Sequence, residues 1–410
     1  MLIKNCKLRN KDGLWNISIK DDKIKQITTD ILPDEAETID AAGHLTSAPY
    51  VEPHIHLDAV FTAGQPRWNE SGTLFEGIEL WSERKEQISI ADVKERAKKA
   101  INLQISQGIQ FVRSHVDTTD SELTALKALL EVKEEVKDLI DLQLVAFPQE
   151  GICSYPNGRE LMEEAVKLGA DVIGAIPHYE FTREYGIESL KTAFSLAEKY
   201  NRLIDIHCDE IDDPESHFLE TVATYAYESG MGSKVSASHT TAMHSYNNPY
   251  ACKLFRLLKL AGINIISCPT ENIHLQGRFD TFPKRRGITR VKELLEAGIN
   301  TAVAQDSIMD PWYPLGTDNP LREVDMCIHA CQMMGYHDII NSFDLVTANA
   351  ARALHLDDYG IKEGNTANLI IVNADNEFEA IRNLSPVLYS IRQGKIIVER
   401  IPEKLKMQSI

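Results

Sequence analysis

His54 and His56 stand two apart in VEPHIHLD, residues 51–58, just after the apolar run HLTSAPYV. In a strand, alternate side chains share a face, so the two imidazoles point the same way. Such a pair is either two polar residues at a strand end or half of a metal site. Further residues of the same kind follow other apolar runs. LIDIHCDE carries His207, with Glu210 three residues on; SASHTTAMH carries His239, with His244 as a spare; AVAQDS carries Asp306. Singly, each is weak. A lone histidine after an apolar strand is more often a hydrogen-bonded core residue, and a carboxylate there simply needs a partner, because burying an unpaired charge is costly. Together, at the ends of four strand candidates, they point to a metal centre.

Imidazole and carboxylate donors suit Zn²⁺ or Fe²⁺ and require no thiolate. Three histidines and an aspartate leave room for one water, whose pKa such an ion lowers toward about 7. Glu210 is placed to move protons. The chemistry expected is hydrolytic, not redox or structural. No lysine ends the fourth strand candidate, ADVIGAIPHYE, which offers His178 and Glu180 instead. A carbamylated-lysine bridge between two metals is therefore not expected, and one divalent ion is. Asp310 and Trp312 in SIMDPWYPLG and His274 in ENIHLQGRFD either line the same mouth or fix loop geometry.

These residues need a scaffold that brings several strand ends together. Apolar, β-branched runs alternate with helical patterns through the middle of the chain. The strand candidates are HLTSAPYVEPHIHLD, GIQFVRSHVD, LIDLQLVAFPQ, ADVIGAIPH, LIDIHCDE, KVSASHTT, INIISCP and INTAVAQDS. Helix-like stretches such as SELTALKALLEVKEEVKDL and GIESLKTAFSLAEKYN lie between them. This rhythm predicts an α/β protein with a (β/α)8 (TIM) barrel over residues 46–359, the alternative being an open sheet. In a barrel the C-terminal strand ends converge on one mouth, and strand eight returns beside strand one. His54, His56, Gln149, His207, Glu210, His239 and Asp306 all lie at such ends. Residues 1–45 and 360–405 read as short strands joined by polar turns, and are expected to pair into one small β-sandwich domain.

The bulk properties limit the partners. The chain has 410 residues and a formal net charge of −18. An acidic chain repels nucleic acid and anionic membranes. No apolar run reaches the roughly 18–20 residues needed to cross a bilayer, and the N-terminus lacks a signal-peptide core. The expectation is a cytoplasmic enzyme with a small-molecule substrate, no nucleic-acid partner and no membrane. Seven scattered cysteines without CxxC agree with a reducing compartment. Cys327 and Cys331 share a helix face and read as packing; the KRR run at 284–286 reads as a solvated loop.

The β ends, the HxH, the HxxE, the SHTT histidine and the strand-eight aspartate together resemble the amidohydrolase superfamily. Within it, the cytosine deaminase family is similar over nearly the whole chain. The matching stretches include TAGQPRWNESGTLFEGIE, VAFPQEG, GAIPHYEFTREYG, HCDEIDD, ASHTTAMHSYN, NIHLQGRFDTFPKRRGITRVKE and DPWYPLGT. The resemblance implies that His54, His56, His207 and Asp306 bind the metal. It implies that Glu210 takes a proton from the attacking water and delivers it to the ring nitrogen, that His239 holds the oxygen, and that Asp306 helps move a proton to the leaving amine. Gln149 would hydrogen-bond the pyrimidine's carbonyl and N–H edge. A homo-oligomer, often a hexamer, is typical of the family.

Two departures lie near the substrate. The family's two aspartates after strand eight become Asp306 and Ser307, so the second carboxylate is lost and room is gained. After strand seven, Cys268-Pro269-Thr270-Glu271-Asn272 introduces a carboxylate at Glu271. With Trp312, these two are the expected substrate contacts that set which ring is held. The implied reaction is hydrolytic release of ammonia from a small cyclic amidine: cytosine, a 5-substituted cytosine or isocytosine. Creatinine, converted to N-methylhydantoin, is the alternative. A ring-opening cyclic-amide hydrolase is disfavoured by the missing lysine and by Glu210, and a non-catalytic metal-binding barrel by the full ligand set.

Overall fold

The computed structural model describes residues 1–33, 35–402 and 406. The chain begins with β1 (Leu2–Leu8), β2 (Trp15–Lys20), β3 (Lys23–Thr28), β4 (Thr38–Asp40) and β5 (Leu45–Ser47). Eight further strands follow: β6 (Tyr50–Ile55), β7 (Ile109–Asp117), β8 (Asp141–Phe147), β9 (Val172–Ala175), β10 (Leu203–Cys208), β11 (Val235–His239), β12 (Asn264–Ser267) and β13 (Thr301–Val303). The last are β14 (Leu369–Val372), β15 (Val387–Arg392) and β16 (Lys395–Glu399).

The terminal strands form one mixed sheet in the order β16-β15-β14-β5-β1-β2-β3, with β4 also on β1. β1 is the hinge of this sheet. Its register shifts between Ile3 and Cys6, and it passes from β4 to β5. The two halves close on a shared core that includes Ile3, Cys6, Ile17, Ile24, Leu369 and Ile391. The run expected as one barrel strand, HLTSAPYVEPHIHLD, is in fact two strands. β5 pairs with β14 in the terminal sheet, and only β6 enters the barrel. Pro49, which has no N–H to offer a ladder, lies between them. The end of the expected C-terminal segment, residues 403–405, lies outside the described residues.

β6 to β13 pair in sequence order, each parallel to the next. Strands covered on both faces read as near-continuous apolar runs, and β7 is buried along all nine residues. The helices between them are amphipathic. Thr124–Val136 turns Leu126, Leu129, Val132 and Val136 inward. Each buried Leu or Val contributes about 1.5–3 kcal/mol. The barrel closes where Ile55 bridges Asp306. There the Asp306 N–H donates to the His54 carbonyl at 3.0 Å, and the His56 N–H donates to the Asp306 carbonyl at 3.2 Å. Strand eight thus returns beside strand one, and the seam itself carries three of the expected ligands.

Among the described residues, no helix is long and apolar enough to cross a membrane. The KRR run is more than a solvated loop. Lys284 and Arg286 donate to main-chain carbonyls, and Arg285 bonds Asp280, Ser245 and the Asp212 carbonyl. These bonds pin the loop that follows the β12 end.

Candidate metal centre and substrate cavity

The floor of the barrel mouth is a cluster of nitrogen and oxygen donors. His56 Nε2 and His207 Nε2 are 3.1 Å apart. Asp306 Oδ1 lies 3.4 Å from His54 Nε2 and 3.5 Å from His56 Nε2. Donors held about 2.0–2.2 Å from a tetrahedral ion stand roughly 3.4 Å from one another, and these three distances are close to that figure. His54 Nε2 is buried without a hydrogen-bond partner. Its other nitrogen explains the orientation. His54 Nδ1 lies 2.9 Å from Ser238 Oγ, and Ser238 donates to Asp205 Oδ1 at 2.7 Å. The serine oxygen therefore accepts from Nδ1–H, which leaves the Nε2 lone pair facing Asp306. Asp205 is itself held by Arg113 at 2.9 Å, both fully buried. Burial lowers the pKa of His54 and of His56 to about 4. Burial also holds His207 well below its ordinary value, with the neighbouring histidines adding to the effect. Neutral imidazoles are the form that binds metal. Among the described residues, the donor groups lying within 4.8 Å of one another are His54 with His239, Cys268 and Asp306, and His54 with His115 and His207, a chemistry that fits a divalent ion.

Further buried polar groups stand beside this floor. Burial, and then the Asp306 charge, raise the Glu210 carboxyl well above its ordinary value. Glu210 Oε1 is 3.4 Å from His239 Nδ1, which is 3.7 Å from Asp306 Oδ2 and 3.1 Å from Asn272 Nδ2. His239 and Asp306 both take left-handed backbone conformations, with φ of 68° and 69°. Each costs a non-glycine residue roughly 1–2 kcal/mol. At Asp306 the two seam hydrogen bonds hold that geometry.

Above the floor lies a small cavity lined by His56, Leu74, Gln149, His207, Glu210, His239, Glu271, Leu275, Asp306, Ser307 and Trp312. Every residue expected to touch substrate is in that wall, and His54 lies beneath it. The Ser307 hydroxyl lies near the carboxyls of Glu271 and Asp310 and favours the charged form of each. Burial, and then Asp306, Asp310 and Glu210, hold the Glu271 carboxyl well above its ordinary value. Glu271 Oε2 is buried with no partner of its own. Gly316 packs on the Ser307 carbonyl, where a Cβ would come within 1.7 Å of the oxygen.

Asp310 and His274 do not reach the cavity wall. Asp310 accepts the Trp312 and Tyr313 N–H groups at 3.0 and 3.1 Å and fixes their turn. His274 is half-buried against Arg278 and Tyr313. His244 lies apart, in an outer cleft with Arg286 and Arg290.

Several contributors went unnoticed in the sequence. His115, near the end of β7, lies with its ring centroid 3.9 Å from that of His54, and neither of its nitrogens has a hydrogen-bond partner. SHVD carried the same signal as the other strand-end histidines. Asp117 accepts Trp81 Nε1 at 2.9 Å, Lys85 Nζ at 3.1 Å and the Gln149 N–H at 3.3 Å. Lys85 also grips Glu150, so the Gln149 backbone is anchored on both sides.

Trp312 packs on Gly77 of the helix Leu74–Lys85, where a Cβ would lie 2.3 Å from the indole Cδ1. Gly77→Ala should push the indole into the cavity. Alanine gains about 1 kcal/mol in helix propensity, which offsets part of the strain. The expected result is a KM raised about tenfold with a small change in Tm, read by steady-state kinetics and thermal melting.

Residues 37–398 match the sequence model of the amidohydrolase family. Two solved structures of 5-methylcytosine deaminase from Klebsiella pneumoniae superpose along almost the entire chain. The one liganded with 5-fluorocytosine is 57% identical, with a TM-score of 0.98, covering 99% of each chain. The one liganded with phosphonocytosine is 56% identical, with a TM-score of 0.97, covering 99% of this chain and 100% of the other. The N-isopropylammelide isopropyl amidohydrolase of Pseudomonas sp. (strain ADP) is 29% identical over 97% of each chain.

Proposed function

Because the chain belongs to the amidohydrolase family, and is with it a metal-dependent hydrolase of C–N bonds, we propose that it deaminates cytosine and 5-substituted cytosines, 5-methylcytosine foremost. Water adds at the amine-bearing ring carbon, the C–N bond breaks, and ammonia leaves. One observation carries the reaction: the buried Glu210 carboxyl beside His239 and Asp306, at a cavity floored by imidazole donors.

His54, His56, His207 and Asp306 would hold one divalent ion, Zn²⁺ or Fe²⁺. Such an ion makes water nucleophilic near neutral pH. Gln149 presents its carboxamide to the ring's carbonyl and N–H edge. Glu210 takes the proton of the attacking water and gives it to the ring nitrogen beside the attacked carbon. His239 holds the oxygen, and Asp306 helps pass a proton to the departing amine. Leu74, Leu275 and Trp312 supply apolar walls that exclude bulk water.

Ser307 points to the substituent. A serine where an aspartate would stand leaves space beside the ring, and Glu271 returns a carboxyl to the same wall. Likeness to a 5-methylcytosine deaminase favours a pyrimidine over creatinine. The Pseudomonas amidohydrolase, named for removing an isopropyl amine, favours loss of an exocyclic amine over ring opening. The test is ammonia release by metal-loaded protein from cytosine, 5-methylcytosine, isocytosine and creatinine at matched concentrations. The two cytosines should lead. A creatinine lead would move the substrate, and silence on all four would sink the deaminase reading.

A further inference from the structure

We propose that Glu52 is a positioning residue for the metal centre: its carboxylate clasps the first and last barrel strands and so sets the spacing of His54, His56 and Asp306. The inference rests on reading those three as ligands.

The need for a clasp comes from the backbone. β6 pairs with β7 at Val51↔Phe111 and Glu52↔Val112, and next at Ile55↔Ser114. Three steps on β6 therefore face two on β7, a bulge at Pro53 and His54. Pro53 has no N–H, and the His54 N–H has no main-chain acceptor there. Glu52 Oε1 accepts it at 3.0 Å. Across the seam, β13 ends at Val303, before the ligand is reached. The Gln305 N–H beyond that end donates to Glu52 Oε2 at 3.0 Å. One carboxyl group thus accepts a buried N–H from each side of the seam, that of His54 itself and that of Gln305, next to Asp306.

The arrangement is too specific for general packing. Glu52 is 2% exposed and lies outside the cavity wall, so it cannot reach substrate. Both oxygens are committed to the seam, and the Asp318 carboxyl packs against them. Asp318 donates its own N–H to Gln305 Oε1 at 2.9 Å, which ties the following loop to the same point. The two main-chain bonds that hold Asp306 in its left-handed conformation are its immediate neighbours. Loosening Glu52 frees that residue to relax, and the donor spacing with it.

The experiment compares wild type with Glu52→Gln, Glu52→Asp and Asp318→Asn, each loaded with Co²⁺. The readouts are the cobalt visible spectrum, the rate of loss to a chelator, and the Tm of the metal-free protein. Glutamine keeps one acceptor and turns an NH2 toward the second N–H. Glu52→Gln should alter the spectrum and speed metal loss at least tenfold. Glu52→Asp, which keeps both oxygens on a shorter arm, should fall between it and wild type. Asp318→Asn leaves both clasp bonds in place and should stay within about twofold of wild type. If Glu52→Gln fails to fold, Glu52→Asp decides. Wild-type spectra and release rates in the Glu52 variants would overturn the clasp alone. A wild type that takes up no Co²⁺ would overturn the ligand reading, and the clasp with it.

Discussion

Glu210→Gln should keep its metal and lose about 10³-fold in kcat. Glutamine preserves the size of the side chain and removes its capacity to carry a proton. Positioned acid–base groups contribute roughly 10²–10⁴-fold, and Glu210 is asked to act twice, on the water and on the ring nitrogen. It is also not among the four residues proposed to hold the ion, so metal content should not change. Metal analysis and ammonia release on one preparation separate the two effects. Turnover within a few-fold of wild type would show that the proton travels by another route.

The second large effect is one of selectivity. Ser307→Asp should lower kcat/KM for 5-methylcytosine about 100-fold relative to cytosine. One methyl group in a fitted pocket is worth about 1–3 kcal/mol, or 10–200-fold, and the larger side chain would occupy its space. The new carboxylate would also meet Glu271 and Asp310, which already flank the hydroxyl. Like charges in one buried site cannot all ionise, so activity on cytosine should fall as well, but less. Ser307→Ala keeps the space and should hold the wild-type preference. An unchanged ratio of the two substrates in Ser307→Asp would remove Ser307 from the account of specificity.

The barrel and the residues on its rim were legible because each leaves a local mark. An apolar run announces a buried parallel strand, and a polar residue at its end announces the mouth. His54, His56, Gln149, His207, Glu210, His239 and Asp306 all fit that pattern, and the structure brings them to one place. The departures at Ser307 and Glu271 were readable against the family pattern, and both lie in the cavity wall. Less accessible were residues that act across long separations. Glu52 serves Gln305, Asp117 serves Gln149, and Asp205 serves His54 through Ser238. Their partners are set by the fold, and no spacing in the chain encodes them. The split at Pro49 was hidden for another reason: both halves of HLTSAPYVEPHIHLD are buried strands, and their pattern does not say that they join different sheets. By sequence Asp310 and His274 either line the mouth or fix loop geometry, and the structure has the second: Asp310 satisfies a turn and His274 contacts a loop arginine.

The order in which the terminal sheet is assembled bears on the protein's birth. β5 ends at Ser47, but its partner β14 begins at Leu369. On a ribosome the early strands emerge first and can begin to pair. The outer edge of β5 then stays open while the whole barrel is being made. An unpaired edge is a site for aggregation and recognition. It is covered only when residues 369–372 arrive, and by then Asp306 and every other barrel residue has been translated. β15 then docks the sheet on the barrel, through Arg392 to Asp141 at 2.9 Å and Gln110 to the Ile391 carbonyl at 2.9 Å. A chain stalled before β14 therefore displays its incompleteness to chaperones and proteases, even when all of its proposed metal ligands are in place.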